Sequence, residues 1–418
     1  MRQDDPMADN ETTEPASTVT RTSVAAAAGA GIGATAFAPS SLAQTASALG
    51  PKSTGMPGPG PFSGGLPDFR NLSTDGIENY ETFGCKVYKG SPPTPDWARA
   101  SVWFDRKVAS HEMKMPDGTL LDFWVFEDEN VGSKSRNVPS PLIRVQQGDL
   151  VHVRLKSAKG PHTIHHHGIE PTTFNDGVGH VSMEVGTEYI YQWEANTPGT
   201  WIYHCHVNTP LHFEMGLYGA VIVDPKPDPV TKKIAAFENG PNYDVEQLWV
   251  FDDIDPRWHT IEHGAGLCGE DVGLNIFEPK YFMVTGGVSR RGSPVSKARV
   301  AARPNQKILV RMINAGYSQL RVRIEGLEYD IVSVDGHALG KSPWNRFQRV
   351  APGEEIVLAT ANRYDIIIDL ASSVNRAAIL RKKSFRTEFE FVDWISWKRE
   401  NLGDPVYEGL AFSSIDIV

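Results

Sequence analysis

The chain has 418 residues, 40% of them hydrophobic and 10% aromatic, enough for two ordinary globular domains and a leader. A formal net charge of -10 and a pI near 5.7 argue against nucleic acid or an anionic membrane as partner. After the leader no apolar run is long enough to span a bilayer.

The N-terminus reads as a targeting segment. Arg21 precedes a small-residue apolar stretch from Val24 to Ala38, and Ser41 and Ala43 stand where a signal peptidase reads. The order Thr20-Arg21-Thr22-Ser23-Val24 is similar to a twin-arginine leader that lacks its first arginine. Residues 1–43 are therefore expected to be a signal peptide that delivers the protein to the periplasm or beyond the cell. Residues 44–77 follow as a linker, rich in Pro, Gly and Ser up to about residue 66. Of three cysteines, Cys85 and Cys268 either pair or stay free; Cys205 stands apart, between two histidines.

From about residue 78 short alternating segments are broken by Gly, Pro, Asn and Asp, the texture of an all-β sandwich. Val151, Val153 and Leu155 share one strand face; Tyr189, Tyr191 and Trp193 repeat the alternation. Trp201, Tyr203 and Cys205 do so again after the Pro198-Gly199 turn. A stiff polar break falls at Asp224-Pro225-Lys226-Pro227-Asp228-Pro229, and the pattern then restarts. Residues 305–312 echo 148–155, which implies an internal duplication. The fold expected is two tandem β-sandwiches, at 78–228 and 240–418. The second lacks ligands, for Leu320, Arg323 and Glu325 stand where the first has His162, His165 and His167.

Seven of the thirteen histidines fall in two short segments, His162-Thr163-Ile164-His165-His166-His167 and His204-Cys205-His206 through His212. In an extended chain His204 and His206 point to one face and Cys205 to the other; His165 and His167 share a face that His162 does not. Two sites separate. His162, Cys205 and His212 supply a thiolate and two imidazoles, the donor set of a blue (type 1) copper centre. His165, His167, His204 and His206 supply four imidazoles, suited to further copper of type 2 or type 3 character that binds dioxygen or a small oxyanion. Zinc sites rarely use such a strand-borne His-Cys-His pattern. His166 has the wrong parity for the second site and is expected to pack. His259 and His263, four residues apart, read as loop histidines or as a metal pair on one face of a helical turn; His337 reads as a turn residue and His180 as structural.

The stretch Pro141–Asp149, the His-x-x-His-x-His-Gly segment from His162 and the run from Gly199 to His206 resemble the multicopper oxidases and their relatives, the copper nitrite reductases. Residues 78–223 carry most of the resemblance, which implies two tandem cupredoxin-like Greek-key domains, a copper-binding one at 78–228 and a second without copper ligands at 240–418. Tyr329–His337, Ala351–Glu354 and Arg363–Asp365 are similar to the copper-free middle domain of laccase-like enzymes. The resemblance implies electrons passed from a small-molecule or metal-ion donor through the blue copper to a histidine-bound site that reduces dioxygen. It also makes Asp176 a proton-delivering acid, although Asn175-Asp176-Gly177 equally describes a turn.

Three departures qualify the resemblance. His212 lies farther from Cys205 than in laccases, as the nitrite reductases allow. The axial register falls on Leu217, which cannot coordinate, with Met215 as the alternative axial residue. A full trinuclear cluster calls for twice the four histidines present, so sites shared in a homotrimer stay open. Two rival functions stand beside the oxidase. Nitrite reduction would use His167 and His204, but His165 replaces the expected catalytic Asp and Arg323 supplies no third ligand. A non-catalytic copper-binding or electron-carrying protein would need the blue site alone.

Overall fold

The computed structural model describes residues 77–79, 86–88, 102–178, 183–266, 270–392 and 409–418, all within one compact unit, Gly64–Val418. The expected signal peptide, Cys85, Cys268 and His180 lie outside the described residues. Strands dominate, and the fold is the all-β, cupredoxin-like sandwich expected. No described helix is long and apolar enough to cross a membrane.

The first sandwich has two four-stranded sheets. One runs Leu120–Asp128, Val102–Lys114, Leu150–Lys156, Glu188–Glu194; the other runs Ser140–Gln146, Tyr218–Asp224, Gly199–His204, His165–His167. The alternation in the sequence becomes direct cross-strand pairing: Val151, Val153 and Leu155 sit opposite Trp193, Tyr191 and Tyr189. All six are buried in one apolar cluster, because β-branched and aromatic side chains fill a pleated face efficiently.

Beyond Asp224 the chain builds a second sandwich. Its larger sheet centres on Val245–Ile254, Lys307–Asn314, Arg363–Asp369 and Tyr329–Val334; the other contains Leu410–Ile417, Ser384–Phe391 and Leu320–Ile324. The positions that echo the ligands do ordinary work here. Leu320 is core, Arg323 pairs with Glu388, and Glu325 lies 3.6 Å from Lys382.

One apolar cluster runs from the second sandwich into the first through Leu121, Phe123, Ile202, Tyr218 and Ala220. A chain of charges reinforces this seam. Arg144 donates to Asp224 (2.7 Å) and Glu246 (2.6 Å); Arg311, fully buried, donates to Glu246 (2.7 Å), Thr200 (3.0 Å) and Asp365 (3.2 Å). Buried charge is tolerated only when paired in this way.

Candidate metal centres

Strand Gly199–His204 is buried at all six positions because each face meets a different partner. Trp201, Tyr203 and the following Cys205 point into the first sandwich. Thr200 and Ile202 point the other way, Thr200 donating to Asp365 at 2.6 Å and Ile202 joining the shared core. The period-2 geometry of a strand thus sends Cys205 to one side and His204 to the other.

The Cys205 thiol is fully buried, with Sγ 3.6 Å from His162 Nδ1 and 3.2 Å from His212 Nδ1. The opposite ring nitrogens face carbonyls: His162 Nε2 lies 3.0 Å from Ala158 O, and His212 Nε2 lies 3.4 Å from His263 O. A proton on each Nε2 leaves both Nδ1 lone pairs directed at the thiol, the orientation that outer carbonyls impose on metal-binding imidazoles. The Thr163 amide points at Sγ (3.5 Å), and the Cys205 amide donates to Leu217 O (2.9 Å). Leu217 and Met215 are both buried in the cluster that contains Cys205.

Burial controls the protonation of these groups. It pushes the Cys205 thiol up to about 12 and the His162 imidazole down to about 3, where the nearby His263 lowers it further. Burial, aided by His162, holds His212 well below its ordinary value. Neutral imidazoles are ready ligands, and a metal would have to displace the thiol proton. One soft sulfur and two imidazoles in a dry pocket fit copper.

Across the sheet the second cluster assembles. Strand His165–His167 pairs with Gly199–His204 so that His165 sits opposite His204 and His167 opposite Ile202. Ring centroids of His165 lie 5.6 Å from His167, 5.2 Å from His204 and 5.4 Å from His206; His204 and His206 are 5.6 Å apart. Ligand nitrogens of His165, His167 and His204 lie within 4.8 Å of one another. Three Nδ1 atoms are already engaged, at Asp176 O (2.7 Å) for His165, Cys205 O (2.9 Å) for His204 and Thr209 Oγ1 (3.2 Å) for His206. With Nδ1 so engaged, Nε2 is the ligand atom that His165 and His204 would offer a metal. Burial lowers His167 to about 4, helped by Arg363 of the second sandwich.

Asp176 caps the short turn Thr173–Asn175 and meets the cluster mainly through its carbonyl; its carboxylate is 3.7 Å from His165 Nδ1 and part-exposed. The expected turn is present, and the carboxylate stands beside His165. His166 packs as expected, 5.1 Å from Trp193, with neither ring nitrogen hydrogen-bonded. His337 lies edge-on to Trp201 at 5.5 Å, outside both clusters.

Sequence reasoning missed His263. Its segment links two strands of the second sandwich, yet its ring lies 4.8 Å from His162 and 4.4 Å from His212, and the three offer ligand nitrogens within 4.8 Å of one another. The four-residue spacing from His259 was the only local signal, and it does not say where the loop lands. His259 itself is buried against Phe123, with Nδ1 2.9 Å from Asp122 O.

Two clusters on opposite sides of one strand, a thiol with two imidazoles on one and further imidazoles on the other, have the donor chemistry of copper sites in a cupredoxin-like fold. Residues 127–228 match the family model of the multicopper oxidases. The chain is 26% identical over 267 residues to the multicopper oxidase MmcO of Mycobacterium tuberculosis, covering 57% of this chain and 47% of that protein. It is 27% identical over 247 residues to a copper-containing nitrite reductase of Neisseria gonorrhoeae, covering 57% and 56%. Among solved structures it is similar to a blue copper oxidase from Nitrosomonas europaea, with a TM-score of 0.56, 22% identity, and 76% and 86% of the two chains covered. The chain spans about half the length of the two curated relatives just described. The match to the family model is confined to residues 127–228, and the relatives just described are a multicopper oxidase and a copper-containing nitrite reductase.

Proposed function

We propose that this protein is an exported copper-dependent oxidoreductase that takes electrons from a small-molecule or metal-ion donor and delivers them to dioxygen. The observation that carries the reading is covalent. Cys205 supplies the thiol of one centre and is peptide-bonded on both sides to imidazoles of the other.

In this reading His162, Cys205 and His212 would hold a type 1 copper, with the apolar side chains of Leu217 and Met215 buried in the same cluster. His165, His167, His204 and His206 hold copper of type 2 or type 3 character. Bound there, copper supplies one-electron exchange and Lewis-acid stabilisation of charge on oxygen. The chain supplies the rest. The carbonyls of Ala158 and His263 orient the two imidazoles of the thiol site, and the surrounding apolar cluster excludes water. The Asp176 carbonyl fixes His165, and its part-exposed carboxylate can hold a proton between solvent and the cluster. Export to the periplasm or medium is supported by the leader-like residues 21–43.

Copper per chain, subunit count and oxygen uptake test the proposal together. Cys205→Ser should abolish the blue absorption and turnover, since a hydroxyl is too hard a donor to replace the thiolate. His165→Ala should keep the colour and lose oxygen uptake. The opposite pattern would sink the assignment of the two faces. Four imidazoles rather than a full cluster favour one rival, a copper-binding electron carrier. Copper-loaded protein that consumes no oxygen with phenols or cuprous ion would establish that rival, and a homotrimer with intersubunit copper would complete the cluster instead.

A further inference from the structure

We propose that His263 determines which donors can reach the blue centre; the inference rests on reading His162, Cys205 and His212 as that centre. His162 and His212 are fully buried, and the second sandwich does part of the covering. The segment after the turn Trp258–Thr260 lies over the two imidazoles, and His263 is its contact residue.

Several independent contacts hold it there. His263 O lies 3.4 Å from His212 Nε2 and accepts from Asn208 Nδ2 (3.3 Å), while Ala265 O accepts from the same amide (2.9 Å). Asn208 belongs to the stretch between Cys205 and His212, so the cover is tied to the metal-bearing loop itself. On the far side His263 Nε2 is 3.0 Å from Pro161 O, next to His162. The ring stacks on Trp124 at 5.8 Å, and Trp124 stands edge-on to His212 at 5.4 Å. Gly160 makes the approach feasible, since a Cβ there would lie 2.8 Å from the imidazole.

The consequence is steric. A donor cannot touch the His212 edge; the outermost ring it meets is the part-exposed His263. Electron transfer then crosses one additional ring, and because tunnelling falls off steeply with distance, donors that depend on direct contact with His212 are the ones excluded. The bulk of the ring is what matters, while the backbone carbonyl that orients His212 survives any side-chain change.

The test uses the copper-loaded full chain and follows bleaching of the blue absorption after mixing with hexaammineruthenium(II), which is small, or syringaldazine, which is bulky. His263→Ala should raise the rate for syringaldazine about tenfold relative to the small reductant, the scale of a steric change at a binding edge. His263→Phe should restore the selectivity by restoring the bulk. A second readout needs no metal: hydrogen exchange at the His212 ring carbon of the copper-free chain should rise several-fold in His263→Ala. Equal rate changes for both donors, unchanged His212 exchange, or a Phe variant that behaves like Ala would overturn the proposal. Loss of blue absorption in a folded His263→Ala variant would also overturn it, by making the ring part of the metal's support. A wild-type chain that never turns blue refutes the copper reading instead, and the exchange measurement then still reports on the cover.

Discussion

Gly177→Ala is a small change with a calculable effect on one centre only. Gly177 has φ of +75°, and a Cβ built on it would lie 2.0 Å from Ile164 O, 2.5 Å from Ile164 C and 2.8 Å from His165 N. Ordinary contact begins at 3.4 Å, so the turn must retreat by roughly 1.4 Å from backbone that cannot rotate away. The left-handed conformation costs about 1 kcal/mol with a side chain. The retreat also breaks the 2.7 Å contact between His165 and Asp176 O, a loss of about 1 kcal/mol. Total destabilisation should be about 2–3 kcal/mol, and removing an outer partner of a ligating histidine should weaken metal binding about 10- to 100-fold. Urea unfolding and copper content after dialysis against a weak chelator measure both, with the blue absorption as internal reference. The variant should keep its blue copper and lose the copper of the four-histidine cluster. Full copper retention with stability within about 0.5 kcal/mol of wild type would refute this account of how His165 is held.

Leu217→Met should lower the reduction potential of the blue centre by offering an axial thioether, read by redox titration of the colour; no shift would point to Met215 as the axial neighbour. Arg311→Met should cost about 3–5 kcal/mol, because Asp365, fully buried, loses its charged partner; a change under about 1 kcal/mol in urea unfolding would mean water already solvates the seam. Glu214→Gln should stabilise the protein at neutral pH and not at pH near 4. Burial, with Asp253 adding to it, raises the folded Glu214 carboxyl well above its ordinary value. Its contribution is therefore intact below the unfolded value of 4.5 and is lost as pH rises through the folded one. An equal effect at pH 4 and pH 8 would contradict that sign.

The parts of this molecule legible in its sequence share one property, a strict period of two. Val151, Val153 and Leu155 against Trp193, Tyr191 and Tyr189 could be read as faces because every second residue is apolar. Cys205 between His204 and His206 could be read as two centres for the same reason. His263 could not. It reaches His212 from 51 residues away and Pro161 from 102, through a segment with no periodicity. The buried polar groups at Arg311, Asp252 and Asp253 were equally hidden, since their partners lie far away in sequence. Asp335-Gly336 read as a turn and is one, with φ of 50° and 78°; nothing local showed what the turn packs against.

That packing explains what the second sandwich contributes. A Cβ at Gly168, in the metal-bearing sandwich, would lie 2.5 Å from the Trp201 ring, and a Cβ at Gly336, in the other, would lie equally close. The indole is therefore wedged between glycines of the two sandwiches, with Arg363 above it at 5.6 Å. Trp201 belongs to the strand that continues into His204, Cys205 and His206, so the second sandwich grips the metal-bearing strand two ways, through this wedge and through Thr200 with Asp365. A strand gripped on both faces cannot slide, and a slip of one residue would exchange the thiol with the imidazoles. The second sandwich thereby sets the register on which both clusters depend, and it places His263 beside one of them. Substitutions at Gly336 should consequently register in the blue absorption of the copper-loaded protein, although Gly336 lies in the other sandwich.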